Sequence, residues 1–510
     1  MNEAHGEAFI QLEEATIAQL QAAMNAGQFT AERLVELYLE RIEAIDRHGP
    51  TLKSIIEINP ECLEIAGALD GERAAGRSRG PLHGIPILIK DNIATADSMQ
   101  TTAGSLALVG SKAPRDAFVA RKLREAGAVI LGKTNLSEWA NFRSNASSSG
   151  WSGRGGQTRN PYVLDRTPCG SSSGSGAAIA ANLAAAALGT ETDGSILCPS
   201  AINSLVGIKP TVGLTSRAGV VPIAHSQDTV GPMARTVTDA AILLGAITGI
   251  DEHDPATQSS ASQYFTDYTK YLDANGLRGA RIGIARQVYF GYSAKADAII
   301  ETAIERMRAL GAEIIDNADI PTAHEMADSE AEMTVLLHEF KADLNAYLNG
   351  LIDSPVRTLA EIITFNNNHP NQELPYFGQE VMLKAQATTS LDDTAYRDAL
   401  AENRRLARQE GIDAVMDAHQ LDALVMPTTS PAWCIDLVNG DHHSGSSAQP
   451  AALAGYPVIT VPAGYAFELP VGISFMGRAY SEPTLLKLAY AFEQCTKIRR
   501  APRYLATIEI

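Results

Sequence analysis

A chain of 510 residues, 45% of them hydrophobic and 20% charged, has the material for a large buried core. Its net charge of −18 argues against nucleic acid as a main partner, because phosphates repel an acidic surface. No apolar run reaches roughly 18 residues, so no membrane-spanning helix is expected.

The first residues are polar and acidic and lack the apolar region of a signal peptide, which points to a cytoplasmic location. Thr30 can cap a helix over 31–44, with Leu34, Tyr38, Ile42 and Ile45 on its core face. A second helix is expected over 61–75. A loop rich in Arg and Gly follows, and Ile85–Ile89 then reads as a buried strand that Lys90 ends. A lysine directly after such a run is expected to be at least partly buried, or else to snorkel to water. Helix 118–126, strand 128–131 and the loop Lys133-Thr134-Asn135 make a helix–strand unit of a mixed or parallel sheet.

The stretch from Pro168 to Pro210 organises the chain. It opens with the cluster Cys169-Gly170-Ser171-Ser172-Ser173-Gly174-Ser175 and passes through an uncharged Ala-rich run. It then reaches Gly189-Thr190-Glu191-Thr192-Asp193-Gly194-Ser195-Ile196. Two serine-bearing loops are thus expected at the two ends of one small-residue element. Further on, Val206–Pro210 reads as a strand and 238–244 as an apolar helix. Asp228 and Arg235 are expected to form an ion pair that holds the active-site loops. A strand at 281–285, a helix at 296–310 and a strand at 313–315 open a new unit. A long amphipathic helix is expected over 325–349, with Met333, Leu336, Leu337, Phe340 and Leu344 on one face. The region 318–412 has few strand signals and reads as a helical elaboration. Strands are expected at 424–426, 458–461 and 471–475. A last helix follows Ser481, with Pro483 in its first turn. This alternation fits an α/β chain folded as one domain over 1–510.

The five cysteines are scattered, with no metal-type spacing and no disulfide framework. Cys169 and Cys198 are expected to be small buried packing residues. No phosphate loop, HExxH or clustered metal-ligand pattern occurs, so neither metal nor cofactor is expected.

The two serine motifs and the Ile85–Asn92 lysine motif occur in the order found in the amidase signature family of serine hydrolases, which this chain resembles from about Gln19 to Ala501. Where the usual family pattern has Gly, Asp and Gly, this chain has Cys169, Glu191 and Asp193. These departures look most like the bacterial peptide amidases within the family. The resemblance implies a large mixed β-sheet covered by helices on both faces. It implies Ser195 as nucleophile and Lys90 as terminal base. Ser171, after a cis peptide bond, would bridge the two. The backbone N–H groups of Thr192, Asp193, Gly194 and Ser195 would form the oxyanion site. Ser172 and Ser173 would be scaffolding, and the segment containing Ala140 and Asn141 would lie near substrate, the alternative being that Asn141 is only a turn residue. The implied reaction is amide hydrolysis through an acyl-enzyme, removing the C-terminal amide of peptide amides with release of ammonia. The enzyme would act alone or as a homo-oligomer.

Other readings compete. Gly170-Ser171-Ser172-Ser173-Gly174 formally satisfies G-x-S-x-G, a nucleophile elbow with Ser172 attacking. That motif needs a preceding strand, and Asp165–Cys169 does not read as one. It also needs a later histidine, and His419, His442 and His443 lack a telling context. A broad small-amide or aryl amidase would fit the same residues. So would the catalytic subunit of a tRNA-dependent amidotransferase, which works with partner chains. A degenerate family member that only binds is disfavoured by the intact Lys90, Ser171 and Ser195.

Overall fold

The computed structural model describes residues 12–509. Among the described residues there are thirteen strands. They are β1 Ile55–Ile58, β2 Pro86–Lys90, β3 Val129–Thr134, β4 Trp151–Ser152, β5 Gly156–Gln157, β6 Ala186–Glu191, β7 Val206–Lys209, β8 Thr229–Ala234, β9 Arg281–Ile284, β10 Glu313–Ile315, β11 Ala423–Pro427, β12 Val458–Ala466 and β13 Leu469–Met476. Strands β4 and β5 form a small hairpin, and the other 11 form one sheet in the order β1-β3-β2-β6-β8-β7-β12-β13-β11-β9-β10. Strands β3, β2 and β6 run parallel, as do β11, β9 and β10, while the middle of the sheet is antiparallel. The expected large mixed sheet with helices is therefore the fold. Its central strands are uniformly buried and read as near-continuous apolar or small-residue runs, as strands covered on both faces do.

Thr30 caps the first expected helix by accepting from the Arg33 N–H; that helix spans Ala31–Arg41 and continues as a wider turn over Ile42–Arg47. Strand β3 continues through Lys133 and Thr134, which the sequence reading placed in a loop. The long helix expected over 325–349 is two helices, Ala323–Asp328 and Ala331–Asn349, broken at Ser329, which adopts an extended conformation. Met333 lies on the exposed side of the second, while Leu336, Phe340 and Leu344 are buried. Between β10 and β11 all the described regular elements are helical.

The Ala-rich stretch is not one element. It is the helix Ser173–Ala180, a turn, and strand β6. The turn returns the chain beside its starting point, so the two serine loops become neighbours in space. Small side chains are what allow this packing. A Cβ on Gly174 would lie 2.2 Å from the Ser54 carbonyl oxygen and 2.5 Å from that of Asn135, closer than any side chain tolerates. No helix among the described residues is long and apolar enough to cross a membrane.

Candidate active site

Strands β2 and β6 are parallel and adjacent, so their carboxyl ends emerge on the same side of the sheet. Such ends are where open α/β sheets bind ligands. Strand β2 delivers Lys90 there, and β6 delivers Thr190 and Glu191. Lys90 is fully buried. Its Nζ donates to Ser171 Oγ at 2.7 Å, to Thr190 Oγ1 at 2.9 Å and to the Thr190 carbonyl at 3.4 Å. Asn92 Nδ2 also donates to Thr190 Oγ1, at 2.9 Å, which fixes that hydroxyl between two donors. Burial lowers the Lys90 pKa to about 7, opposed by the Asp228 and Glu191 carboxylates. A lysine in that range is partly neutral near physiological pH and can accept a proton.

Ser171 follows the cis Gly170–Ser171 peptide. Its carbonyl accepts from the Ser137 N–H at 3.1 Å, and the next residue's N–H donates to the Ser195 carbonyl at 3.1 Å. The second contact ties the two serine loops together. Ser172 Oγ donates to the Thr190 carbonyl and accepts from the Thr190 N–H, so it is tied into the backbone of β6. Ser195 is 8% exposed, in contrast to the fully buried Ser171 and Ser172. Among the described residues its Oγ makes no hydrogen bond to Ser171. The structure thus brings Lys90 and Ser171 into direct contact and sets Ser195 beside them at the solvent-facing end.

The Thr192–Ser195 turn is held from two sides. Gly194 has φ +75°, a left-handed conformation that a side chain would strain. Below it, Glu191 Oε2 accepts from the Ile196 and Leu197 N–H groups at 2.7 and 2.9 Å, capping the helix Leu197–Ile202. Burial raises the Glu191 carboxyl, while Lys209 and these amides pull it back. Beside it, the Asp228 carboxylate accepts from the Thr192 hydroxyl and from the Ile223 and Ala224 N–H groups at 2.9 and 3.0 Å. Burial raises this carboxyl to about 6, against the pull of those donors.

The expected Asp228–Arg235 ion pair does not form. Arg235 instead donates to the carbonyls of Ala15, Ile179 and Ala184. The two residues flank strand β8, Asp228 just before it and Arg235 just after, so the extended strand separates them. The expectation for the cysteines is also corrected. Cys169 and Cys198 form a disulfide, with S–S 1.93 Å and Cα–Cα 6.0 Å. A separation of 29 residues carries no spacing signal, and only the returning helix–turn–strand brings the two together.

The neighbours of Ser171 and Ser195 in the two serine loops, among them Cys169, Gly170, Asp193 and Gly194, line a cleft of about 380 Å³ together with Asn141, Trp433 and His443. Asn141 lies on it, with Trp139, Ala140 and Asn141 in consecutive left-handed conformations at φ 50°, 54° and 70°. Such outliers concentrate at functional sites. Ala140 packs against the hydrophobic cluster around Phe142 and Phe340. Trp433, Asp441 and His443 form a wall that sequence reasoning did not assign. His443 stacks edge-on against Trp433 at 5.3 Å, and Asp441 accepts from the Ser149 N–H at 3.0 Å. A tryptophan inside a Pro/Gly/Ser-rich loop was the available signal. One cluster of metal-ligand type occurs among the described residues, His225 with Glu339 and Asp343. Both ring nitrogens already face carboxylates, at 3.4 and 2.8 Å, so it is an ion-pair cluster that ties the 222–228 loop to the helix Ala331–Asn349.

The Amidase family model matches residues 33–486. The crystal structure of native peptide amidase from Stenotrophomonas maltophilia matches with a TM-score of 0.92 and 54% identity, covering 96% of this chain and 99% of that one. A probable amidase of Arabidopsis thaliana is 46% identical over 503 residues, covering 97% of this chain and 92% of the plant protein. A glutamyl-tRNA(Gln) amidotransferase subunit from Moorella thermoacetica is 35% identical over 495 residues, covering 95% of this chain and 97% of that protein.

Proposed function

The chain belongs to the amidase family and is an amide-hydrolysing enzyme, and from that premise we propose that it removes the C-terminal amide of peptide amides through Ser195, Ser171 and Lys90. The observation that carries this reading is the 2.7 Å contact between a fully buried lysine and Ser171, in a loop bonded to the Ser195 backbone. An amide needs an activated nucleophile, an oxyanion site and a proton for the leaving nitrogen.

In the proposed reaction Ser195 Oγ attacks the amide carbon. Its proton passes to Ser171 Oγ, which gives its own proton to neutral Lys90. The carbonyl oxygen gains negative charge and is met by backbone N–H groups of the Thr192–Ser195 turn. One such donor is typically worth about 3 kcal/mol in the transition state. The C–N bond then breaks as the relay returns a proton to nitrogen, and ammonia leaves an acyl-Ser195 ester. Water attacks the ester by the same relay, releasing the acid and restoring Ser195.

Likeness to a peptide amidase supports the substrate class, and the open cleft lined by Trp433 and Asn141 offers side-chain contacts beyond the scissile group. Ammonia release from three substrates tests it: an amidated dipeptide, a simple aliphatic amide and an internal peptide bond. The dipeptide amide should be turned over fastest and the internal bond not at all. Equal rates on all three would sink the C-terminal selectivity and favour a broad amidase.

A further inference from the structure

The charge lining the cleft beside Ser195 is one-sided, with the cations Lys90 and Lys209 buried behind it. Asp193 lies two residues before Ser195, lines the cleft and is exposed to it. Among the described residues it makes no hydrogen bond and no ion pair. Glu332 stands close by as a second carboxylate. Gln227 Nε2 donates to its Oε1 and Gln449 Nε2 to its Oε2, each at 3.0 Å. Gln227 Nε2 also reaches the Thr192 carbonyl at 3.4 Å, which fixes Glu332 next to the 192–195 turn. Asp441 lines the same cleft, and neither lysine nor arginine does. Burial of the turn that carries it, then Glu332 and Glu191, raise the Asp193 carboxyl well above its usual range, and Lys209 from behind opposes them.

We propose that Asp193 is a specificity-determining residue that takes an ammonium or guanidinium group carried on the acyl part of the substrate, with Glu332 positioned to deepen the negative field. The proposal rests on the amidase reading above. Two residues of chain span at most about 7 Å, so the backbone of Asp193 lies within that reach of Ser195, and its side chain opens on the cleft. A cation arriving there favours the ionised form of Asp193 and gains a charge-assisted hydrogen bond. An acidic substrate meets repulsion there and is rejected. The built character of the site distinguishes it from a chance acidic patch. Glu332 is held on both oxygens by neutral amides, which orient it and favour its ionised form, while burial raises its carboxyl.

The test compares kcat/KM by ammonia release for amidated dipeptides that carry lysine, its neutral analogue norleucine, or glutamate. Each residue is placed at each position in turn, with the amino terminus free or acetylated. At low salt the wild-type enzyme should prefer a positively charged substrate over its neutral analogue by about tenfold, with glutamate poorest. The preference should shrink as salt is raised, because the cleft is open to solvent. Asp193→Asn should bring the charged-to-neutral ratio close to one, and Glu332→Gln should lower it partway. The ratio cancels any loss common to both substrates, including disturbance of the neighbouring turn. A wild-type ratio near one at every position, or a ratio that survives Asp193→Asn, overturns the proposal. If Asp193→Asn has no turnover, Glu332→Gln decides, and an unchanged ratio there overturns it. If wild type turns over no peptide amide, the substrate class proposed above fails. The charge preference is then read on β-alaninamide against butyramide, by the same ratios.

Discussion

Lys90 shows how a residue's surroundings decide its chemistry. In water its amine would be almost fully protonated at neutral pH, but burial brings its pKa to about 7 while Asp228 and Glu191 oppose the shift. Only the neutral amine can take a proton from Ser171, so kcat/KM should climb with pH and reach half its plateau near pH 7. A profile flat from about pH 5 to 9 would remove Lys90 from the role of base. Lys90→Ala should lose about 10²–10⁴-fold in kcat, and Ser195→Ala at least as much, both in folded protein. Lys90→Arg should not rescue, because a guanidinium stays protonated. Ser171→Ala should retain more activity than Ser195→Ala if a water can bridge the gap. Loss confined to Ser172→Ala would favour the nucleophile-elbow reading, although that hydroxyl is engaged on both sides by the Thr190 backbone. His83 stands apart from the relay, with Nε2 against the Leu69 carbonyl at 2.9 Å. His83→Gln should leave kcat unchanged and cost stability of about 1 kcal/mol, read by urea unfolding.

At the scale of elements, the helix Ser173–Ala180 and strand β6 do the positioning. The helix begins two residues after Ser171, and the strand ends four residues before Ser195. Gly174 sits where the helix crosses the backbone of Ser54 and Asn135. Both obstacles are backbone atoms, which cannot swing aside as a side chain would. Gly174→Ala should therefore destabilise the protein by at least about 1–3 kcal/mol. It should also lower turnover, since displacing the helix moves Ser171 relative to Lys90. Unfolding curves that coincide with wild type would show that the crossing has slack. The Cys169–Cys198 disulfide spans the same unit and joins the start of one serine loop to the end of the other.

For the whole molecule, the notable property is the number of lysines in the core. Lys90, Lys133 and Lys209 are all fully buried. Burial lowers Lys133 to about 8, opposed by Asp91, Asp97 and Glu57, and lowers Lys209 to about 8, opposed by Glu191, Glu482 and Asp193. Lys209 donates to the Tyr456 carbonyl at 2.7 Å, and Lys133 to the Ile93 carbonyl at 2.6 Å. The sign follows from the protons bound. Between about 8 and the ordinary lysine value the unfolded chain holds these protons and the folded chain does not, so stability rises with pH across that window. Below about 8 the folded lysines also protonate and the dependence levels off. Each contributes an order of about 3 kcal/mol over the window. Subtracting the unfolding free energies of Lys209→Met from those of wild type, from pH 7 to 10, should reveal that rise. A difference independent of pH would mean Lys209 keeps its ordinary pKa. The helices between β10 and β11 are joined to the cleft region through charge as well. Glu373 accepts from the Leu106 N–H at 2.8 Å, and Glu380 from the Asn145 N–H at 2.6 Å.

The sequence by itself determined the mixed α/β character, most strand positions and the candidate residues. Apolar runs such as Ile85–Ile89 can be satisfied only in a buried strand, and serine and lysine motifs are local in the chain. It misread features that depend on where the chain returns. The Ala-rich run has no periodicity that separates helix from strand, so its turn at 181–185 was invisible. Cys169 and Cys198 are scattered in sequence and bonded in space. Asp228 and Arg235 were expected to pair, yet the extended strand between them sends each to different partners. Trp433, Asp441 and His443 reach the cleft from a loop more than 230 residues beyond Ser195, a juxtaposition that no local pattern encodes. Composition and periodicity fix which faces are buried; desolvation, hydrogen-bond geometry and the approach of distant loops exist only once the sheet has closed around Lys90.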